Sequence, residues 1–266
     1  MNELELIKTS VLNCRRIDLY VDAVPPTEEQ GEAIRRIRER RRSGEPLQYI
    51  LGETDFMGMS FHVNPHVLIP RPETEILVET ALSLAPRMDG RPLRILDLGS
   101  GSGNIAVSCA ALLHNAVVDS VDISPEALEV AAGNARRHQV EGHIRFVHND
   151  MRAFLLDAAA REPYDMILAN PPYIPSRDID TLPDDVRQEP RAALDGGEDG
   201  LIFLRDILCL GPAVLKPGAF LLLEIGDGQS KFLKKHLENN RQFCDYEFKK
   251  DYCMIDRILV ARKHTH

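Results

Sequence analysis

No stretch of the 266-residue chain approaches the ~20 consecutive apolar residues that cross a bilayer, so a transmembrane protein is excluded. The opening MNELELIKTS carries two acids and no apolar h-region, so no secretory signal is expected. Cysteine is sparse. Cys14, Cys109, Cys209, Cys244 and Cys253 are odd in number, scattered, and form no CxxC. That spacing argues against a disulfide framework and against a zinc site. Free thiols in a reducing cytosol fit it, and a cytoplasmic location is expected. The nine histidines make no metal-ligand spacing. Tryptophan is absent, which carries no functional message. Positive charge is in deficit: 32 Lys and Arg face 41 Asp and Glu, leaving a net −9. Phosphate contact is mostly charge neutralisation, so this balance weighs against direct nucleic-acid binding. What remains is ordinary for a globular chain, with 44% hydrophobic and 27% charged residues. The length allows one large domain, or a medium domain with a smaller partner.

The texture changes near residue 85. Leu4, Ile7, Val11, Cys14 and Ile17 recur at helical spacing and predict an amphipathic helix from Glu3 to Asp18. Thr27 and Gln30 match a capping box and predict a second helix. It carries Arg35, Arg36, Arg38, Arg40, Arg41 and Arg42 and stops at Ser43-Gly44-Glu45-Pro46. This run reads either as a docking face for an acidic or RNA-containing partner or as a solvated helix face; charge runs more often solvate. Asp55 to Val63, around Gly58, predict a hairpin in a linker spanning about 53–65. Pro70 and Pro72 then set an extended entry to a helix over ILVETALSLA. A helical domain over 1–85 and a second domain over 86–266 are expected.

From about Arg91, apolar strands alternate with helices. LRILDLG, AVVDSVDI, IRFVHND, YDMILANPPY and GAFLLLEIG read as strands. NIAVSCAALL, SPEALEVAAGNARRH, MRAFLLDAAA and GLIFLRDILCLGPAVL read as helices, with Ser124 as an N-cap. The fold class is therefore α/β, a Rossmann-like, mostly parallel sheet with helices on both faces. Cys244 to Lys250 and Met254 to Arg262 predict an antiparallel pair at the C-terminal edge.

The first strand opens into Gly99-Ser100-Gly101-Ser102-Gly103. Glycine lets the backbone turn sharply and lets a ligand lie against it. The spacing is GxGxG, where a dinucleotide loop places its third glycine one residue later. Asp122 closes the second strand, where a carboxylate can accept both ribose hydroxyls. Asp150 closes the third, where an acid can receive an adenine amine while Met151 covers the ring. Singly, these residues would also serve as a tight turn, an N-cap and a surface acid. At three consecutive strand ends they describe an adenosine ligand with free ribose hydroxyls and no required pyrophosphate. S-adenosyl-L-methionine fits that description.

The fourth strand ends in Asn170-Pro171-Pro172-Tyr173. With a strand order of 3-2-1-4-5, counted from LRILDLG, it neighbours the glycine loop across one cleft. Methyl transfer from a sulfonium needs a nucleophile aligned behind the methyl group. A planar amide or aromatic amine is a poor nucleophile because its lone pair is delocalised. Acceptors on both of its N–H hydrogens would orient the nitrogen and stabilise the charge that develops there. The Asn170 side-chain oxygen and the Pro171 carbonyl can be those acceptors. The prolines add rigidity without a competing N–H, and Tyr173 offers a flat wall. Asp178, Asp180, Asp184 and Asp185 read as solvated loop charge.

GSGSG, VDIS and ANPPY resemble class I methyltransferases that modify planar amino groups. PLQYILGETDFMGMSFHVNPHVLIPRPETEILVE and EPRAALDGGEDGL narrow the resemblance to the peptide chain release factor glutamine N5-methyltransferases, from about Pro46 to Gly228. NPPY is shared with adenine N6-methyltransferases; LIPRPETE together with NPPYIP is far more specific. The resemblance implies an N-terminal helical domain that helps dock the release factor, and an enzyme that methylates the glutamine of its Gly-Gly-Gln tip; a monomer is expected. It implies that Gly99 to Gly103 cradle the methionine side of the cofactor. Asp122 would take the ribose, Asp150 and Met151 would sit at the adenine, and Asn170 to Tyr173 would hold the glutamine. Arg71 and Glu73 would shape the cleft from the linker side. Met151 departs from a family position that is often aromatic, and a thioether can still cover an adenine face. Ala169 stands where serine is common. The alternatives are an adenine-N6 DNA or RNA methyltransferase, which would need base flipping or a single strand, and a nonenzymatic adaptor that would bind no cofactor.

Overall fold

The computed structural model describes residues 2–21, 25–85, 92–158 and 162–265. The first helix, α1 (Glu3–Leu12), opens on a reciprocal capping box between Asn2 and Glu5. It ends earlier than its apolar spacing predicts, because Asn13 turns left-handed at φ 47°. A short helix, α2 (Asp18–Val21), follows. Ile7 is buried, whereas Leu4 and Ile17 are 42% and 58% exposed, so the predicted apolar stripe is not one continuous buried face. Thr27 and Gln30 cap α3 (Glu28–Arg42) as expected, and Gly44 closes it at φ 95°.

Three of the six arginines of α3 make ion pairs within the fold. Arg35 pairs with Glu32 and Arg40 with Glu45. Arg41 reaches Glu3 at 3.0 Å and Asp185 at 3.1 Å, tying α3 to α1 and to the loop beyond Tyr173. Asp185, expected as solvated charge, is therefore half of an ion pair.

After α4 (Leu47–Leu51) comes the expected hairpin of β1 (Glu53–Phe56) and β2 (Met59–His62). Met57 and Gly58, both at positive φ, make its two-residue turn. Helix α5 (Pro72–Leu84) follows, with Pro72 at its first position. Its buried Leu77, Val78 and Ala81 share one core with Phe56 and Phe61 of the hairpin and with the sheet, although its residues were expected to belong to the N-terminal domain.

The sheet has seven strands in the order β5-β4-β3-β6-β7-β9-β8. β3 (Leu93–Leu98), β4 (Ala116–Asp122), β5 (Ile144–His148), β6 (Tyr164–Ala169) and β7 (Leu215–Glu224) run parallel. β8 (Phe243–Lys250) and β9 (Asp256–Lys263) form the expected antiparallel pair, with β9 inserted beside β7. α6 (Asn104–Leu112), α7 (Pro125–Arg137), α8 (Met151–Ala158) and α9 (Ile202–Val214) make the connections. The helix α10 (Ser230–Asn239) was not anticipated. Its sequence is dominated by charge, yet Leu233 and Leu237 stack four apart and are buried.

The central strands read as unbroken apolar runs because both faces are covered. In β6, Met166 and Leu168 face the core under α5 and α6, while Ile167 and Ala169 face the core under α8, α9 and α10. A third cluster joins Tyr49, Val63, Val67 and Ile69 to Ala127 and Val130 of α7. The C-terminal ends of β3, β4, β6 and β7 and the start of α8 thus converge on one edge of the sheet.

Candidate active site

β3 ends in the glycine loop. Gly99, Gly101 and Gly103 take φ of 88°, 51° and 79°, a region that side chains resist. Gly101 N–H donates to Asp122 Oδ2 at 2.8 Å and Ser124 N–H donates to Asp122 Oδ1 at 2.9 Å. The Asp122 carboxylate is thereby fixed at the end of β4 with lone pairs still open. A Cβ at Gly99 would lie 3.8 Å from the Asn170 carbonyl oxygen, so the loop and the end of β6 face each other directly, as their adjacent strands require.

One cavity gathers Gly99, Ser100, Gly101, Ser102, Asp122, Asp150, Met151, Asn170, Pro172 and Arg71. Gly103, Pro171, Tyr173 and Glu73 are outside its lining. Gly103 instead supports α7: an added Cβ would come 2.9 Å from the Ala131 Cβ. Asp150 Oδ1 accepts from Ala153 N–H at 2.9 Å and so also caps α8, a duty its second oxygen does not share.

Asn170 Nδ2 donates to Thr74 Oγ1 at 3.1 Å, and the Thr74 hydroxyl donates to Glu224 Oε2 at 2.7 Å. Among the described residues, no donor reaches Asn170 Oδ1 or the Pro171 carbonyl. Tyr173 turns its hydroxyl toward Glu224 Oε1, 3.5 Å away, and its ring lies beside Gly226. It is thus a prop beneath the strand end, where a wall of the cavity was expected. Burial pushes its phenol upward, with the nearby Glu224 charge adding to the shift. The Tyr173 carbonyl is taken by Gln229 Nε2 at 3.1 Å. The GGEDGL segment presses on the same backbone, and a Cβ at Gly200 would meet the Tyr173 oxygen at 2.4 Å.

Four important residues escaped sequence reasoning. Glu224 closes β7 at the same sheet edge where Asp122 closes β4, so the strand-end rule that found Asp122 also points to it. Burial pushes its carboxyl up to about 7. Thr74 lies inside LIPRPETE, but only Arg71 and Glu73 drew notice there. Glu189 is the buried partner of Arg71, with Nη2 at 2.8 and 2.7 Å from its two oxygens, and burial raises it to about 7. Asn134 is wholly buried in α7 and grips both sides of the site. It accepts from His62 N–H at 2.8 Å and donates to the Ser102 carbonyl at 2.8 Å. No local pattern announces the last two, because their partners are distant in sequence.

Asp97, also at the end of β3, has no exposed surface. Its Oδ2 lies 2.7 Å from the Ser120 hydroxyl, its Oδ1 has no partner, and burial pushes it up to about 7.

Residues 74–197 match the Methyltransferase small domain family, and residues 1–52 match the PrmC N-terminal domain family. A release factor glutamine methyltransferase of Geobacter sulfurreducens is 41% identical over 267 residues, covering 98% of this chain and 88% of that protein. The chain belongs to the release factor glutamine methyltransferase family. A second member, from Chlorobaculum tepidum, is 38% identical with 96% and 87% covered. The enzyme is a methyltransferase whose methyl donor is S-adenosyl-L-methionine. The glycine cradle, the anchored Asp122 and the cavity beside Met151 fit that donor. Among solved structures, the hMettl16 catalytic domain in complex with a MAT2A 3′UTR hairpin superposes with a TM-score of 0.62 at 17% identity, over 83% of this chain and 79% of that one. That likeness is one of fold. Among the described residues, no helix is long and apolar enough to cross a membrane and no three acidic, His or Cys side chains gather as a metal site.

Proposed function

We propose that this enzyme methylates the side-chain amide nitrogen of the glutamine in the Gly-Gly-Gln tip of peptide chain release factors, and so supports translation termination. One observation carries the reading: Asn170, which lines the cavity, and Pro171, next to it just outside that lining, both offer an oxygen that accepts from no donor among the described residues. Two acceptors at one rigid corner suit the two hydrogens of a primary amide. Held by both, the amide nitrogen keeps a fixed direction of approach, and charge developing on it is stabilised. S-adenosyl-L-methionine, when bound, supplies the electrophilic methyl group. Asp122 accepts the ribose hydroxyls, Asp150 and Met151 serve the adenine, and Gly99 to Ser102 leave room for the methionine end. Arg71, fixed by Glu189, walls the cavity on the side of α5. The helical segment of α1 to α4 docks the body of the release factor. The same reading has the protein working as a cytoplasmic monomer, without a nucleic-acid substrate.

The test offers purified protein a methyl-labelled donor with a bacterial release factor and an oligonucleotide pool in parallel, and maps the label by mass spectrometry. Label on the Gly-Gly-Gln glutamine is the expected result. Label on adenine would move the substrate to nucleic acid and overturn the proposal.

A further inference from the structure

The strand-end asparagine can serve as an acceptor only if its oxygen, not its nitrogen, faces the substrate. Nothing in the shape of a primary amide decides that, because its two ends are nearly isosteric. The decision lies in the chain of hydrogen bonds behind it. Glu224 is 1% exposed at the end of β7. When Glu224 is ionised it only accepts, so the Thr74 hydroxyl then spends its single proton on Glu224 Oε2. Its oxygen is then left as an acceptor, and the group 3.1 Å away must be a donor, which is Asn170 Nδ2. The Asn170 oxygen is turned the other way.

We propose that Thr74, polarised by Glu224, is the positioning residue that sets the Asn170 amide with Oδ1 toward the methyl-accepting nitrogen. This rests on the glutamine-methylating reading of the site and adds to it how the acceptor is oriented. Glu224 is buried outside the cavity lining; Thr74 lines the cavity and bonds Asn170, and in this proposal both act through Asn170. Protonation of Glu224 removes the constraint. A neutral carboxyl can donate to Thr74, whose proton is then free to point at Asn170 and reverse the amide. The groups facing Glu224 are Thr74 and Glu73 from α5, Tyr173 from the strand-end turn and Arg257 from β9. Burial and the Glu73 charge favour the neutral form, while Thr74, Arg257 and Tyr173 favour the anion. Acid should therefore switch the site off through the orientation of Asn170, with donor binding left intact.

Thr74→Val keeps the shape of the side chain and deletes the hydroxyl; Thr74→Ser keeps the hydroxyl. Each is assayed on an intact release factor, with donor affinity measured separately by calorimetry. The expected result for Thr74→Val is a fall in kcat of roughly 5–10-fold, the size of one neutral hydrogen bond. Its donor Kd should stay within about twofold, and Thr74→Ser should return to within about twofold of the parent. Wild-type kcat should show an acid limb that Thr74→Val and Glu224→Gln both lack. Equal activity of Thr74→Val and the parent would overturn the proposal. So would equal damage in Val and Ser variants, a parallel loss of donor affinity, or an acid limb that survives in both variants. A parent protein that does not methylate the glutamine at all would instead strike the functional reading beneath it.

Discussion

Gly103 and Gly101 look interchangeable in the sequence, yet the structure predicts that alanine at the two positions will differ severalfold in cost. Gly101 sits at φ 51° with nothing within 4 Å of an added Cβ. Gly101→Ala should therefore cost only the left-handed strain of a non-glycine residue, about 1 kcal/mol. Gly103 sits at φ 79°, and its Cβ would come 2.9 Å from the Ala131 Cβ and 3.1 Å from the Ala131 Cα. Ala131 has no exposed surface and lies in the middle of α7, so the helix backbone itself must move. Overpacking of that kind adds roughly 1–3 kcal/mol to the strain, for a total of about 2–4 kcal/mol. For a chain of this size, thermal midpoints should drop by roughly 2–4 °C for Gly101→Ala and roughly 5–15 °C for Gly103→Ala. Differential scanning calorimetry reads both. Ala131→Gly should partly rescue Gly103→Ala, with a coupling of about 1 kcal/mol in a double-mutant cycle. Equal losses at the two glycines, or additive behaviour in the cycle, would refute the idea that the third glycine exists for contact with α7.

Other outcomes follow from the same geometry. Asp122→Ala should weaken donor affinity roughly 10–100-fold, the worth of charge-assisted hydrogen bonds to one carboxylate, and an unchanged Kd in calorimetry would sink the ribose assignment. Asn170→Ala should lower kcat by roughly a hundredfold or more while donor Kd moves only a few-fold, as expected where an acceptor works mainly in the transition state; stopped turnover assays at saturating donor decide it. Arg71→Met would leave Glu189 buried without its partner and should cost roughly 2–3 kcal/mol, less than a fully buried pair because the guanidinium is 34% exposed; urea unfolding at neutral pH measures it. Burial pushes the Asp97 carboxyl up to about 7, above the ordinary carboxylate range, so its protonated form stabilises the fold at low pH and that gain is lost as pH rises through about 7. Asp97→Asn should therefore gain on the parent by on the order of 2 kcal/mol between pH 5 and 8, and a pH-independent difference would contradict the burial argument.

The parts legible in the sequence were those encoded by local rules. Thr27 with Gln30 fixes a helix start within four residues, and Met57-Gly58 fixes a turn within two. The unbroken apolar run of β6 requires helices on both sides. Residues at successive strand ends must meet at one sheet edge, which is why the glycine loop, Asp122, Asp150 and Asn170 were readable together. The helix predicted through Asp18 failed because Asn13 accepts a left-handed turn that periodicity cannot see. α10 was passed over because its lysines mask two buried leucines. Tyr173 was given a place in the cavity on chemical grounds, but Glu224 lies beneath it and draws its hydroxyl down. Glu189 and Asn134 owe their roles to partners 118 and 72 residues away, and no window along the chain contains both ends.

Asn134 is also a mechanical tie. One amide side chain holds both the N–H and the carbonyl of His62, and its Nδ2 bonds the Ser102 carbonyl as well. The hairpin between the helical segment and the sheet is thus a strut bolted to the cofactor loop. Tyr49, whose hydroxyl holds the Val67 carbonyl at 2.6 Å, extends the bolted region back through α4. Arg41, paired with both Glu3 and Asp185, ties α1 and α3 in turn to the loop that follows Tyr173. The helical segment is therefore braced to the catalytic sheet at two separate places, by Asn134 behind the hairpin and by Asp185 beyond the strand-end turn.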